Sequence, residues 1–530
     1  MKKEILPLEI TGQFPRLVLD YLSARDDMKP FYDYSPDLKG LKERIEELKS
    51  RSFDRAVLTA ELTDQHKETA LTEAQEKNLQ ALADGSGYTI CTGHQLCLMT
   101  GPAYVIYKIC SVIALSKELE AECNGEVRII PLFWLASEDH DIAEIDHFSL
   151  FNKTLKFHSE HQGAAGHMSL NGIEHIITEL SEILGDSDGA AQILATLRKV
   201  YDPSLNLAQA TARLLNSLFA SEGLLILDAD RTSLKKIFIP SIKKELKESF
   251  IEKAIQPTLE MLQNRGEKVQ ASPRGINLFY LFNGLRSRII REEELFKLID
   301  SELQWTMKEL MDEVDAHPER FSPNVLLRPL YQETILPNVA YIGGPGELSY
   351  WLQLKGMFHA VGMKMPLAVL RDSFLFMDER SEEKWKSLGF EVKDLFKSED
   401  DLHKAYAICN GAAEVDLIKE KESLIHHFDK LIEKSLTIDN GLAQFAKGER
   451  QRLENAVDTL EKKMVRAEKK KHTDALARIS QVKEKFLPSG LLQERKENFI
   501  PIWMKLKEDL IKVLVKNSEP LNPGLKVLRD

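Results

Sequence analysis

The sequence has few cysteines, no long hydrophobic run and no excess of positive charge. Its five cysteines include no CxxC pair, so neither a disulfide framework nor a structural metal site is indicated. No stretch approaches the roughly 20 apolar residues of a membrane helix, and the N-terminus lacks the apolar segment of a signal peptide. The net charge of −12 gives no broad attraction to nucleic acid or to an anionic membrane. We therefore expect a cytoplasmic protein with reduced thiols that binds neither nucleic acid nor membrane.

The rest of the composition is that of a folded protein with more than one core. Hydrophobic residues make up 43% and charged residues 29% of the 530 residues, both close to ordinary globular usage. At roughly 150 residues per domain, this length suggests about three or four domains. Short apolar runs alternate with helical patterns, and the runs lie at 88–91, 127–135, 224–227, 339–342 and 366–370. This alternation predicts an α/β fold with a parallel, doubly wound sheet.

Three segments depart from that alternation. Residues 151–200 have a lower apolar density, which suggests an insertion. Two β-type runs flank Asn283-Gly284, the strongest short signal for a hairpin. From about Val415 the apolar residues follow helical spacing, and in the second helix they alternate in steps of four and three at Leu453, Val457, Leu460, Met464 and Ala467. That coiled-coil period predicts an antiparallel helical hairpin that projects from the body.

The first group of residues with a chemical interpretation follows the run at 88–91. Thr92-Gly93-His94-Gln95 leaves this strand, and Gly101-Pro102 opens a long helix with Tyr104 and Lys108 on one face. A helix N-terminus after a glycine loop presents N–H groups to an anion, so Lys108 is a candidate ligand for a phosphate or carboxylate. The alternative is a tight turn with Tyr104 and Lys108 on the surface.

The second group is an acidic cluster directly after the run at 127–135. Glu138-Asp139-His140-Asp141 would lie at the carboxyl end of a parallel strand, where open α/β sheets bind ligands. His140 would be suited to acid or base catalysis near neutral pH. Convergence of His140, Glu144 and His147 on a metal is disfavoured, because their spacing matches no standard zinc motif. The alternative is an acidic helix start that matches its own dipole, which leaves His140 unexplained.

The third and fourth groups are a second glycine loop and several arginines. Tyr341 leads into Gly343-Gly344-Pro345-Gly346-Glu347, where Glu347 would hold an ammonium group or simply match the dipole of its helix. Arginines suited to phosphates or carboxylates follow, at Arg274, Arg286, Arg288, Arg328 and Arg371. For Arg286 and Arg288 we favour structural ion pairs with neighbouring acids.

Further motifs accompany these groups, in a fixed order along nearly the whole chain. The set comprises Thr92-Gly93-His94-Gln95 with Leu98, Thr100-Gly101-Pro102, Tyr104, Tyr107-Lys108, Pro131, Phe133-Trp134-Leu135-Ala136, Glu138-Asp139-His140-Asp141, Asn277-Leu278-Phe279-Tyr280, Asn324-Val325-Leu326, Arg328-Pro329, Gly343-Gly344-Pro345-Gly346-Glu347, Tyr350-Trp351 and Leu492-Gln493-Glu494-Arg495. Taken together, it resembles the BshC family, the cysteine-adding enzymes of bacillithiol biosynthesis. His94 and Cys97 depart from the family pattern, which commonly has a glutamine and a glycine or alanine there.

The resemblance implies a Rossmann-like core with inserted connecting segments and a helical coiled-coil domain used for homodimerisation. It also implies the joining of L-cysteine, through its carboxyl group, to the free amine of glucosaminyl malate. Because an amide does not form usefully from a free carboxylate in water, ATP, with Mg²⁺, is the expected activating agent, and no structural metal is expected. The alternatives are an adenylating or nucleotidyltransferase-like enzyme for another acid and amine, and a coiled-coil scaffold whose body only binds nucleotide.

On this interpretation the chain divides into six segments. They are a helical part of the core (1–85), the first half of the Rossmann-like core (86–150), an inserted connecting segment (151–200), the second half of the core (201–385) with a hairpin insertion (270–292), the coiled-coil domain (386–490) and a tail that packs on the core (491–530). The catalytic candidates are Glu138, Asp139, His140 and Asp141. The candidates for substrate or nucleotide binding are Thr92, Gly93, His94, Gln95, Tyr104, Lys108, Trp134, Arg328, Tyr341, Gly343, Gly344, Glu347, Tyr350 and Arg371.

Overall fold

A parallel sheet of five strands forms the centre of the protein. The computed structural model describes residues 1–67, 69–282, 284–410 and 417–529. The strands are β1 (Gly87–Gln95), β2 (Arg128–Ala136), β3 (Leu225–Asp228), β4 (Asn338–Gly343) and β5 (Leu367–Leu370). They lie in the order β3-β2-β1-β4-β5, and every neighbouring pair is parallel. This order is that of a Rossmann-like sheet and confirms the predicted fold class.

The register of the strands brings the two predicted glycine loops to one edge. Gly93 lies opposite Trp134, and Tyr341 lies opposite Cys91. The strand order reverses between β1 and β4, so the chain leaves these two strands toward opposite faces of the sheet. A crevice therefore opens at the carboxyl ends of β1 and β4, beside the end of β2.

Helices cover both faces of the sheet. In the N-terminal part they are Arg16–Leu22, Leu38–Lys49, Arg55–Gln65, Glu73–Asp84, Tyr104–Glu122, Ile142–Ile145, Glu174–Leu184, Asp188–Val200, Leu207–Phe219, Thr232–Glu248, Phe250–Asn264, Met307–Ala316, Arg328–Ile335, Pro345–Trp351, Lys355–His359 and Glu379–Ser387. Segment 151–200 holds more apolar contacts than its sequence suggested. Its helices bury Ile176, Leu180, Ile193 and Leu197 in the same hydrophobic cluster as the long helix after β1.

An antiparallel sheet of five strands is inserted between β3 and β4 of the core. In chain order its strands are Leu278–Phe282, Leu285–Glu292, Leu295–Leu298, Gln304–Thr306 and Phe321–Pro323. The first two form the hairpin that the sequence predicts, although Asn283 itself lies outside the described residues. The insertion is thus larger than the predicted range 270–292, because three shorter strands extend the hairpin into a sheet.

The C-terminal part is mostly helical. Its main helices are Glu399–Asn410, Ile418–Leu436, Asn440–Lys471 and Thr473–Phe486. Ile418–Leu436 and Asn440–Lys471 form an antiparallel pair joined by a tight turn, which confirms the predicted coiled-coil hairpin; Val415, where we expected this region to begin, lies outside the described residues. Within the described ranges, no helix combines the length and apolar character required to cross a membrane.

The two ends of the chain meet in a small sheet that the sequence analysis did not predict. Leu525–Arg529 pairs with Lys2–Leu6 on one side and with Ser373–Met377 on the other. The helices Ile500–Leu506 and Asp509–Asn517 precede it and bury Ile500 and Leu510 in the core cluster beside the long helix after β1. A separate hairpin is formed by His147–Leu150 and Lys153–Lys156.

Candidate functional site

A cavity of about 680 Å³ lies in the crevice between the ends of β1 and β4. Gly93, His94 and Gln95 line it from β1, and Gly344 to Glu347 line it from the loop after β4. The inserted antiparallel sheet forms the opposite wall. The two glycine loops that the sequence analysis singled out therefore face one shared space.

The loop between β1 and the long helix is closed to ligands beyond Gln95. Residues 96–101 are buried, and Met99 N donates to the hydroxyl of Tyr201. Asn498 donates to the carbonyl oxygens of Met99 and Gly101. Ala103 N, near the helix start, donates to the carbonyl of Glu497. We expected this helix N-terminus to bind an anion. The C-terminal segment covers it instead, and only Tyr104 of the first helical turn lines the cavity.

His94 lines the cavity as an uncharged group. Burial, together with the nearby cations Lys108 and Arg371, lowers its pKa to about 3. Its Nε2 lies 3.4 Å from the Tyr104 hydroxyl and 3.8 Å from Cys97 Sγ. At neutral pH His94 therefore offers a hydrogen bond to a ligand but no positive charge.

Lys108 and Glu347 form an ion pair at the floor of the cavity. Lys108 Nζ donates to Glu347 Oε2 at 2.7 Å and to the Gly93 carbonyl at 2.5 Å, and the lysine side chain is fully buried. Glu347 also accepts from the Tyr341 hydroxyl and from Gly344 N. Despite burial, the Lys108 ammonium and these donors lower the Glu347 pKa to about 2. We expected Lys108 to bind an anionic ligand and Glu347 to bind an ammonium group. In the structure these two side chains bind each other.

The acidic cluster after β2 separates into two parts. Glu138 and Asp139 line the cavity. Glu138 accepts from buried Lys235, which also pairs with Asp230 at 2.8 Å, and burial raises the Glu138 pKa above its ordinary value. Asp139 accepts from Gln95 Nε2 at 2.8 Å and lies 3.7 Å from the ring of His140, and among the described residues no lysine or arginine is closer to it than 4.0 Å. Asp139 is therefore the carboxylate of this cluster that remains open to a ligand.

His140 and Asp141 are exposed and do not line the cavity, in contrast to their expected catalytic role. Arg286 Nη1 donates to His140 Nδ1 at 2.8 Å, and partial burial together with this arginine lowers the His140 pKa. The helix that follows spans only Ile142–Ile145, so His140 does not share a helical face with Glu144. In the parts of the chain that the structure describes, no group of three His, Cys, Asp or Glu side chains is placed to hold a metal ion.

Six arginines line the cavity, and they differ in their partners. The six are Arg274, Arg286, Arg288, Arg328, Arg371 and Arg495. Arg371 pairs with Glu494 at 2.7 Å, and Arg286 approaches Asp139 to 4.0 Å. The other four form no ion pair within the described ranges, and we refer to Arg274, Arg288, Arg328 and Arg495 as the arginine wall. Among the described residues Arg288 lacks the structural ion pair that we expected, whereas Arg286 has the 4.0 Å contact with Asp139.

Arg328 has an environment unlike that of a structural arginine. Its guanidinium lies 5.3 Å from the ring centre of Tyr341 and 5.9 Å from that of Trp134, and the phenol of Tyr350 lies beside it. Nη1 donates to Gln332, whereas Nη2 is buried and has no partner among the described residues. A cation held by aromatic rings with a free N–H is suited to an anionic ligand.

The remaining candidates lie close by. Trp134, Tyr341, Gly344 and Tyr350 line the cavity, whereas Thr92 and Gly343 support its floor. Thr92 Oγ1 donates to the Ile342 carbonyl at 2.7 Å and thereby ties β1 to β4. The sequence analysis assigned no binding role to Arg495 and favoured a structural one for Arg288. The signal that could have marked Arg495 is its place in the motif Leu492-Gln493-Glu494-Arg495, whereas the local sequence around Arg288 gives none.

Comparison with known proteins gives one consistent family. The domain family described as "Bacillithiol biosynthesis BshC, N-terminal Rossmann-like domain" matches residues 1–372, and its C-terminal coiled-coil domain matches residues 374–529. A protein of Flavobacterium johnsoniae named "Putative cysteine ligase BshC" is 36% identical over 531 residues, with both chains covered in full. A protein of the same name from Bacillus cytotoxicus is 28% identical, with 98% of this chain and 99% of that protein covered.

Proposed function

Because the chain belongs to the BshC family, we propose that it is a ligase of bacillithiol biosynthesis that joins L-cysteine to glucosaminyl malate. In this reaction an amide bond forms between the cysteine carboxyl carbon and the free amine of the sugar. Free cysteine as a substrate, and five cysteines that are all unpaired, support a cytoplasmic location for the reaction.

The observation that carries this proposal is the arginine wall. Four guanidinium groups without a carboxylate partner, among the described residues, face one cavity at the switch point of the sheet. Glucosaminyl malate carries two carboxylates, and cysteine carries one. A cavity of about 680 Å³ is of the size that holds a small organic ligand. Charge, size and position in the fold thus all match small anionic substrates.

Asp139 is the side chain best placed to act on the amine. It lines the cavity, and Gln95 and the backbone N–H of His140 orient its carboxylate. We assign to Asp139 the binding of the substrate amine and the acceptance of the proton that the amine loses as the C–N bond forms. Glu138, which accepts a hydrogen bond from Lys235, supports this edge of the cavity. His140 lies at the rim of the cavity, where Arg286 donates a hydrogen bond to it.

The cysteine carboxyl group must be activated before the amine attacks. ATP with Mg²⁺ would supply this activation by converting the carboxyl into an acyl-phosphate or acyl-adenylate, whose phosphate or AMP then leaves. The buried, unpartnered Nη2 of Arg328 and the Nε of Arg371 fit such a polyanion, since each is a donor without an acceptor among the described residues. The backbone at Gly344 and Gly346 leaves room for its close approach.

We also propose that the coiled-coil hairpin forms a homodimer. Large apolar side chains remain exposed along it, at Leu424, Leu431, Leu436, Leu442, Phe445 and Leu460. Such a row is typical of a helical interface. We expect light scattering to give the mass of a dimer for the wild type and of a monomer for Leu431→Glu. A wild type that is monomeric at micromolar concentration would contradict this proposal.

The first experiment is a reconstitution. Purified protein is mixed with L-cysteine, glucosaminyl malate and Mg-ATP, each component is omitted in turn, and bacillithiol is measured by mass spectrometry. We expect product only in the complete mixture, and much less with Asp139→Asn. ATP–pyrophosphate exchange that does not depend on cysteine would instead support an adenylating enzyme for another acid and amine. A folded protein that forms no product would refute the proposed function.

A further inference from the structure

The carboxylate of Glu494 is buried next to Arg371, an arginine that lines the cavity. Glu494 belongs to the short helical turn Gln493–Arg495, which lies in the C-terminal half of the chain. Its side chain is fully buried, and its Oε1 lies 2.7 Å from Arg371 Nη2. Ser373 Oγ donates to the same oxygen at 3.1 Å, and Phe374 N donates to Oε2 at 3.0 Å. Both carboxylate oxygens are therefore held in place.

Arg371, in turn, is held at every edge except one. It follows β5, and its Nη1 donates to the Asp372 carbonyl at 2.8 Å and to Ser373 Oγ at 3.2 Å. The face of the guanidinium lies over the Tyr104 ring, 5.0 Å from the ring centre. Its Nε has no partner among the described residues and lies 3.7 Å from the position that a Cβ on Gly344 would occupy. The free N–H is thus presented beside the glycine loop of the cavity.

We propose that Glu494 is a positioning residue that orients Arg371 so that its free N–H binds a carboxylate or phosphate oxygen of the substrate. An arginine side chain has several rotatable bonds, so a fixed guanidinium binds an anion with less loss of entropy. A buried N–H without an acceptor is costly, which favours a ligand oxygen at this position. The C-terminal half, which also supplies Arg495 to the cavity, thereby completes a site built mainly by the N-terminal half.

The test uses Glu494→Gln in the full chain, with the ligase reaction as its readout, and in that respect it rests on the proposed function. We expect the KM for one of the three anionic substrates to rise about tenfold, as for other groups that orient a binding residue, while the other two KM values stay within about twofold. Arg371→Met should raise the KM of the same substrate. A Glu494→Gln variant with three unchanged KM values would overturn the proposal.

A double variant shows whether Glu494 acts through Arg371. If it does, adding Glu494→Gln to Arg371→Met raises that KM no further, because the group to be oriented is gone. If the KM of the double variant rises instead by the product of the two single effects, the proposal is overturned. Should Glu494→Gln fail to fold, Ser373→Ala replaces it. This change removes the hydroxyl shared by Glu494 and Arg371, and we expect it to raise the same KM about threefold.

The neighbouring buried ion pair supplies the matched control. Lys526 pairs with Asp372, both side chains are essentially fully buried, and neither lines the cavity. Lys526→Met should lower the melting temperature and leave all three KM values unchanged. If it raised the same KM as Glu494→Gln, general loosening of the strand end would be the cause and the positioning role would be refuted.

Calorimetric titration separates this inference from the proposed function. Glucosaminyl malate, L-cysteine and Mg-ATP are each titrated alone into the wild type and into Glu494→Gln. A wild type that binds one of them without forming bacillithiol would refute the proposed function only, and about tenfold weaker binding to Glu494→Gln would still support the positioning role. Equal binding to both proteins, or no binding to either, would overturn it.

Discussion

The floor and the wall of the cavity use positive charge in opposite ways. At the floor, Lys108 and Arg371 are buried, and each lies within 2.7 Å of a carboxylate. In the arginine wall, four guanidinium groups have no such partner in the described ranges. Removing the carboxylate partner of a buried cation leaves an uncompensated charge. A cation that has no carboxylate partner is free to bind a ligand. We infer that the floor mainly maintains the shape of the site and that the wall recognises the substrate, with the free Nε of Arg371 as the one contact that we propose from the floor.

The largest effect should come from the floor. Glu347→Gln leaves buried Lys108 without its carboxylate, and we expect the free energy of unfolding to fall by about 3 to 5 kcal/mol at pH 7. Denaturant titration followed by circular dichroism measures this difference. Glu43→Gln, on the exposed surface of the helix Leu38–Lys49, is the control and should change little. Equal stability of Glu347→Gln and the wild type would mean that the pair does not hold the floor.

The same pair should make stability depend on pH. Because the Glu347 pKa is lowered from 4.5 to about 2 in the folded protein, its contribution is fully present above about pH 4.5. That contribution, at most about 3 kcal/mol, is lost as the pH falls toward 2. We therefore expect the stability difference between the wild type and Glu347→Gln to narrow over this window. Denaturant titrations at a series of pH values measure it, and a constant difference would contradict the assignment.

Arg328→Met tests the wall. We expect kcat/KM to fall about 10- to 100-fold, the cost of one hydrogen bond from a charged group to a ligand. The melting temperature should stay close to that of the wild type, since no carboxylate is left unpaired. Arg44→Met is the contrasting variant, because buried Arg44 pairs with buried Glu333 at 3.0 Å. It should lower the melting temperature strongly. If Arg328→Met were the less stable of the two, the distinction between floor and wall would fail.

The smallest effect should come from Arg288, a half-buried member of the wall. Arg288→Ala should raise the KM for an anionic substrate about three- to tenfold, or about 1 kcal/mol, and the effect should shrink at high salt because solvent screens the charge. Arg291 lies on the same strand, contacts Phe296 and does not line the cavity. Arg291→Ala should therefore leave the steady-state kinetics unchanged. If Arg288→Ala and Arg291→Ala changed the KM equally, the substrate would respond to the overall positive potential of this strand and not to a specific contact with Arg288.

Local patterns were sufficient to predict the elements that form the floor. The runs before Thr92, Ser137 and Gly343 are apolar enough to be strands buried on both faces, so their parallel arrangement and shared edge followed. The coiled-coil hairpin followed from its four-and-three spacing. Both patterns extend over only a few residues to a few helical turns. They can therefore be recognised in one sequence without knowledge of the tertiary structure.

The partners of the charged residues were decided by the tertiary structure alone. Lys108 and Glu347 are 239 positions apart, and each had been assigned to a ligand because nothing local shows that they meet. In the same way Arg371 pairs with Glu494, and the last strand of the chain pairs with both the first strand and Ser373–Met377. Hydrophobic periodicity thus determined which segments become strands and helices. Which cations are neutralised and which remain free for a substrate depends on side chains brought together only when those segments pack.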